Sequence, residues 1–187
     1  MSILPIFIPH LGCPHQCVFC NQKTISGQKT AALAGAKEQI NKWLKILDPG
    51  TKHEAAFYGG SFTGLDLNLQ EELLKLTDDL FYRGIIESVR LSTRPDYIDE
   101  PRLALLKAHH VKTIELGVQS LDEKVLLKAE RGHSSACVYE AASLIKAQGF
   151  TLGVQLMVGL PLQDFASVKS TCAEVLKIKP DLARIYP

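Results

Sequence analysis

No stretch of this 187-residue chain is apolar for long enough to span a bilayer, and its opening MSILPIFIPH lacks the basic start and the length of a signal peptide. Neither membrane insertion nor export is expected, and the cytoplasm is the expected location. Blocks of like charge are missing too: 21 Lys and Arg stand against 20 Asp and Glu, for a net charge of +1. Composition therefore gives no warrant for nucleic-acid or membrane binding. There is no low-complexity segment and no linker-like stretch. Hydrophobic residues at 46% and charged ones at 22% are globular values that exclude disordered and fibrous classes. The length suits one domain with a real core. Cysteine is scarce and odd in number, five in all, which argues against a disulfide framework.

What is present is a repeating alternation. Short apolar, β-branched stretches predict strands at 3–10, 54–60, 87–96, 112–120, 151–161 and 181–187. Amphipathic stretches predict helices at 32–47, 69–84, around Pro101–Ala108, from about Asp122, at 135–149 and at 167–178. Six βα-type repeats of roughly thirty residues imply a parallel sheet with helices outside. A doubly wound sheet would gather its chemistry at one crevice. Here every strand ends in small, polar or special residues: GCPHQC, GGSF, STRPD, GVQS, GLP and YP. That pattern favours a partial (β/α)6 TIM-type barrel, whose chemistry collects at the C-terminal rim. No helix follows the sixth strand, so residues 1–187 are expected to be one core domain of a longer protein, truncated after strand six.

Three of the five cysteines fall within GCPHQCVFC: Cys13, Cys17 and Cys20. A Cys-x3-Cys-x2-Cys loop placed directly after a strand can wrap three thiolates around one metal centre. A structural zinc takes four closed ligands, with His10 or His15 available as the fourth. A conventional iron–sulfur cluster takes four cysteines, and a redox motif needs only two. A 4Fe–4S cluster with three cysteine ligands leaves one iron open. The spacing is not that of zinc ribbons, and no second Cys/His pair follows at finger spacing, which favours the last design. Phe19, just before the third cysteine, suits an aromatic beside a cluster or base, and equally a core aromatic. Cys137 and Cys172, in helix-like stretches, read as small buried hydrophobes. His53, His109 and His110 read as surface residues.

CPHQCVFC resembles the Cys-x3-Cys-x-aromatic-Cys signature of the radical S-adenosylmethionine (radical SAM) enzymes. FYGGSFTGL, STRPDYID, ELGVQSLDEKVL, RGHS and MVGLP are similar, in that order, to the branch holding the Elongator catalytic subunit and its bacterial relatives. Oxygen-independent coproporphyrinogen oxidase is a more distant cousin. The resemblance implies a partial barrel of six βα units, one 4Fe–4S cluster held by Cys13, Cys17 and Cys20, and S-adenosylmethionine chelated to the open iron. The Elongator subunit has a wider gap between its first two cysteines and carries an acetyltransferase domain. This chain has neither, so tRNA acetyl-group chemistry is not expected of it alone.

The resemblance also implies residue roles. Backbone near Gly59 and Gly60 would accept from the methionyl ammonium, with Ser61 standing where the family has an acid. Ser92 takes the place of a ribose-binding acid, and Gln119 offers an amide to ribose hydroxyls. Arg131 would fork onto the methionyl carboxylate. Gln155 would face the adenosine, and Val158 with Gly159 would bring backbone to the adenine edge. The Lys23–Lys29 loop would lie over the site. His10 is a separate reading from position: at the strand end just before the cysteines, it is placed to tune the cluster or move a proton.

The implied function is reductive cleavage of S-adenosylmethionine to a 5′-deoxyadenosyl radical. A reducing donor such as a flavodoxin or ferredoxin would drive it. The substrate would be an RNA base or a tetrapyrrole-like molecule, and the residues do not choose between them. Two alternatives stand beside this reading: a non-enzymatic zinc-binding module, and a degenerate radical SAM domain acting as a scaffold.

Overall fold

The computed structural model describes residues 2–8, 12–20, 29–48 and 50–187. Six strands run through it: β1 (Ser2–Phe7), β2 (His53–Tyr58), β3 (Ile86–Thr93), β4 (Val111–Gln119), β5 (Thr151–Met157) and β6 (Leu182–Tyr186). They alternate with α1 (Lys29–Trp43), α2 (Leu67–Tyr82), α3 (Glu100–Ala108), α4 (Glu123–Lys128), α5 (Ser135–Ala147) and α6 (Phe165–Ile178), both α4 and α5 lying between β4 and β5. All strand pairs are parallel, and strand order across the sheet equals order along the chain. An order that never reverses has no switch point of the doubly wound kind. The sheet curls into a half-barrel with helices outside, as the rim composition predicts.

Local chemistry sets the loops at that rim. Asp66, Asp99, Asp122, Ser134 and Asp164 each accept from a first-turn amide of the helix they precede. Each such cap contributes about 1 kcal/mol and stops the loop at a defined residue.

The two faces of the sheet differ in chemistry. Leu4 and Ile6, Ala55 and Phe57, Val89 and Leu91, Ile114 and Leu116, and Leu152 and Val154 point outward and are wholly buried under the helices. Each buried Leu, Ile, Val or Phe contributes about 1.5–3 kcal/mol. Residues of opposite parity line the lumen, and many are polar. Glu54 accepts from Ser88 Oγ at 3.0 Å and from Arg90 Nε at 2.5 Å. Arg90 Nη1 reaches Glu115 Oε1 at 3.0 Å, and Arg184 Nε lies 3.1 Å from Glu115 Oε2. Burial works against the Arg90 charge, but Glu54 and then Glu115 outweigh it and raise its pKa above the ordinary guanidinium value. Both glutamates are almost completely buried, so the arginines offset a desolvation cost of several kcal/mol per ion.

The readings of five single residues need correction. His53 is buried, with Nδ1 2.5 Å from Ser2 Oγ and Nε2 2.9 Å from Asp48 O. Its neighbours in sequence are polar, which hides its place at the start of an interior strand. His109 is part-buried on Asp78 Oδ2 at 2.7 Å, and His110 is part-buried with its ring stacked on Phe81 at 3.7 Å. Cys137 and Cys172 are only half-buried. β6 is the least covered strand, with Ile185 64% exposed.

Candidate functional site

The C-terminal ends of β1 to β5 meet at a cleft of about 570 Å³, counting solvent at its mouth. Cys13, Cys17, Phe19, Cys20, Gly59, Gly60, Ser61, Ser92, Gln119, Arg131 and Gln155 all line it. Of the described site residues the sequence singles out, Val158 and its neighbour Gly159 do not line it. Val158 stands 38% exposed beyond the end of β5, where its amide donates to Tyr186 O at 2.9 Å. His10 and residues 23–28 lie outside the described residues. Thr93, Arg94 and Gly117 also line the cleft, and the sequence reading did not select them.

The cysteine loop is tied at two points. Cys20 N donates to Cys17 O at 2.8 Å, and Val18 N donates to Ala129 O at 3.2 Å, beside the end of α4. Cys17 is 5% exposed, while Cys13 and Cys20 are half-buried. Two guanidiniums aim at the Cys17 sulfur: Arg131 Nη1 at 3.4 Å and Arg94 Nη1 at 4.0 Å. Arg94 forks onto Asp96 through Nε and Nη2, both at 2.9 Å, and Nη2 also donates to Arg131 O at 2.6 Å. Arg131 Nη2 donates to Gly117 O at 2.5 Å, and its guanidinium carbon lies 5.7 Å from the centre of the Phe19 ring. Burial lowers the Arg131 pKa, and the Cys17 sulfur only partly offsets this.

Small residues hold the cleft open. Gly59 has φ +112°, and a Cβ there would run into the carbonyl oxygen of Ile8. Gly117 leaves room for Gln119 and Arg131, which would lie 3.1 Å and 3.6 Å from a Cβ at that position. Gln119 follows an irregularity in the β4–β5 register and has φ +66°. That bulge re-aims a side chain at the strand end, and Gln119 Oε1 is buried without a hydrogen-bond partner. Ser61 Oγ is 2.9 Å from Thr93 Oγ1 and accepts from Arg94 N at 3.2 Å, so it ties the β2 and β3 loops together.

His133 lies two positions beyond Arg131, outside the cleft lining. Burial first, and then the Arg131 charge, lower its pKa from 6.5 to about 4. The unfolded chain therefore takes up a proton that the folded chain refuses. This contribution to stability is complete above pH 6.5 and is lost as pH falls toward about 4. His133→Gln is expected to flatten the pH dependence of the thermal midpoint across that window. A slope equal to that of the wild type would contradict the assignment.

These residues fit an iron–sulfur cluster and a nucleosyl cofactor. Three thiols share one cleft, buried cations face the innermost sulfur, and the unpartnered Gln119 Oε1 and Arg131 Nε await ligands. Among the described residues, no three His, Cys, Asp or Glu side chains stand close enough to hold a single metal ion. No helix among the described residues is long and apolar enough to cross a membrane.

Comparison with known proteins agrees with this geometry. A tRNA uridine(34) acetyltransferase of Methanocaldococcus jannaschii is 26% identical, over 94% of this chain and 40% of its own length. The solved structure of Methanocaldococcus infernus Elp3 superposes with a TM-score of 0.74 at 21% identity, covering 100% of this chain and 45% of that one. Coproporphyrinogen III oxidase from Escherichia coli, described as a radical SAM enzyme, gives a TM-score of 0.72 at 19% identity, over 99% of this chain and 44% of its own. The chain thus spans less than half the length of each of these proteins. Residues 7–175 match the radical SAM superfamily, and the chain belongs to that superfamily of enzymes.

Proposed function

We propose that residues 1–187 form the core domain of an enzyme that binds one 4Fe–4S cluster through Cys13, Cys17 and Cys20. We further propose that it cleaves S-adenosylmethionine reductively. The cluster and cofactor, when bound, supply an electron and the carbon–sulfur bond whose cleavage gives methionine and a 5′-deoxyadenosyl radical. The chain's own residues bind and orient. The observation that carries this reading is the meeting of three thiols, two buried guanidiniums and a glycine-walled cleft at the strand ends. Arg131 offers its unpartnered Nε to a carboxylate, which a guanidinium holds better than an ammonium does. Backbone at Gly59 and Gly60 can approach an ammonium closely. Hydrogen bonds from Arg131 and Arg94 to the Cys17 sulfur would raise the reduction potential of a cluster held there.

A low-potential donor such as a flavodoxin or ferredoxin would supply the electron, in the cytoplasm. For the substrate, likeness in sequence to a tRNA uridine acetyltransferase supports an RNA base. Likeness in both sequence and fold to coproporphyrinogen III oxidases supports a tetrapyrrole-like molecule equally. One observation favours the scaffold reading: the Ser61 hydroxyl, in the place of an acid, is already engaged by Thr93 and Arg94.

Anaerobic reconstitution tests both readings. About four irons per chain with matching sulfide, and 5′-deoxyadenosine on adding dithionite and S-adenosylmethionine, are expected. A loaded cluster without 5′-deoxyadenosine would leave the scaffold. One zinc per chain surviving reconstitution would overturn the cluster assignment.

A further inference from the structure

The lumen charges are unused by the site described so far, yet they touch its wall. Glu115, on β4, is fully buried and flanked by Arg90 from β3 and Arg184 from β6. Arg184 reaches it across β5 at Gly153, where a Cβ would come within 2.9 Å of Glu115 Cγ. The same carboxylate accepts from Gln155 Nε2 at 3.0 Å, and Gln155 Nε2 also donates to Ser92 Oγ at 3.1 Å.

This arrangement decides which way the Gln155 amide points. A carboxylate held between two guanidiniums only accepts, so Gln155 must turn its NH2 group toward Glu115. Both amide hydrogens are then spent, one on Glu115 and one on Ser92. What remains for the cleft is Gln155 Oε1, an acceptor. Ser92 Oγ, having accepted, keeps its own hydrogen to donate. Beside it, at the end of the neighbouring strand β4, Gln119 Oε1 is a second acceptor, buried and unpartnered. Two amide oxygens on one wall suit a ligand that donates from two hydroxyls.

We propose that Glu115 is a positioning residue that holds the Gln155 oxygen toward the cleft, so that the wall selects the vicinal diol of a nucleoside. The inference rests on the reading that a nucleosyl cofactor occupies this cleft. Arg90 and Arg184 act at one remove, by fixing the carboxylate that fixes the amide. In Glu115→Gln, the new amide can offer its own NH2 to Gln155. Gln155 can then turn over and set a donor against the donating hydroxyls.

The test is calorimetric binding to the full, cluster-reconstituted chain without reductant, using S-adenosylmethionine and its 2′-deoxy and 3′-deoxy analogues. Glu115→Gln is expected to reduce discrimination against one deoxy analogue by about five- to tenfold, the value of one neutral hydrogen bond. Made in a Gln155→Met background, it should change that ratio no further. If Glu115→Gln does not fold, as judged by circular dichroism, the charge-balanced double variant Glu115→Gln/Arg184→Gln carries the same test. An unchanged ratio in a chain that binds S-adenosylmethionine overturns this inference alone, as does an equal loss of discrimination in the Gln155→Met background. A wild-type chain that loads a cluster and binds no S-adenosylmethionine overturns the proposed function, and this inference with it.

Discussion

Cys17→Ala is expected to leave the chain without bound iron and to reduce S-adenosylmethionine cleavage by well over a hundredfold, beyond the loss typical of outer-shell partners of a metal. The three cysteines are not equivalent. Cys17 alone is buried, and its sulfur alone receives both guanidiniums. Removing that sulfur deletes one of the three proposed cluster ligands and also leaves Arg94 and Arg131 without the sulfur that both face. Arg131 suffers more, because burial already disfavours its charge and Cys17 is the first offset to that. Iron and sulfide per chain, the brown chromophore, and chromatography of 5′-deoxyadenosine read the outcome. Cys137→Ala serves as the control, since Cys137 lies in α5 and does not line the cleft; it should retain full iron and full cleavage. Retained cleavage in Cys17→Ala would remove the ligand assignment.

The strands and helices are legible in the sequence because each signal is local. Apolar periodicity, Asp and Ser caps, and glycines at strand ends act within a few residues. The cysteine loop is legible for the same reason: its spacing alone limits which centres it can hold. The lumen charges are not. In ESVRLST the alternation of Ser88, Arg90 and Ser92 with Val89 and Leu91 reads as a strand with one solvated face. Only closure toward a barrel turns that face inward, and only β2 and β4 supply Glu54 and Glu115 as partners, 36 and 25 positions away from Arg90 along the chain. Val158 differs in the opposite direction: it does not line the cleft. A Gly-Leu-Pro turn read as a ligand edge instead carries the chain out of the cleft, toward the edge strand β6.

Arg94 was hidden by its context: STRPD reads as a polar turn, yet the residue is 4% exposed. Arg94→Leu is expected to destabilise the metal-free chain by about 3 kcal/mol, at the lower end for breaking a buried ion pair. The lower end applies because Asp96, at 22% side-chain exposure, can recover some water. Three partners lose their donor at once: both oxygens of Asp96 and the carbonyl of Arg131. With a urea slope of about 2 kcal/mol/M, the midpoint should fall by about 1.5 M. Arg94→Lys keeps the charge, but a single ammonium cannot fork onto Asp96 while also reaching Arg131 O, so it should recover less than half of the loss. Arg94→Leu/Asp96→Leu removes both charges and should be more stable than Arg94→Leu alone, because no uncompensated carboxylate remains. The metal-free chain is the right material, because there the change reports the fold with no contribution from cluster loss. A midpoint for Arg94→Leu within about 0.3 M of wild type would mean that this pair contributes no more than a surface ion pair does.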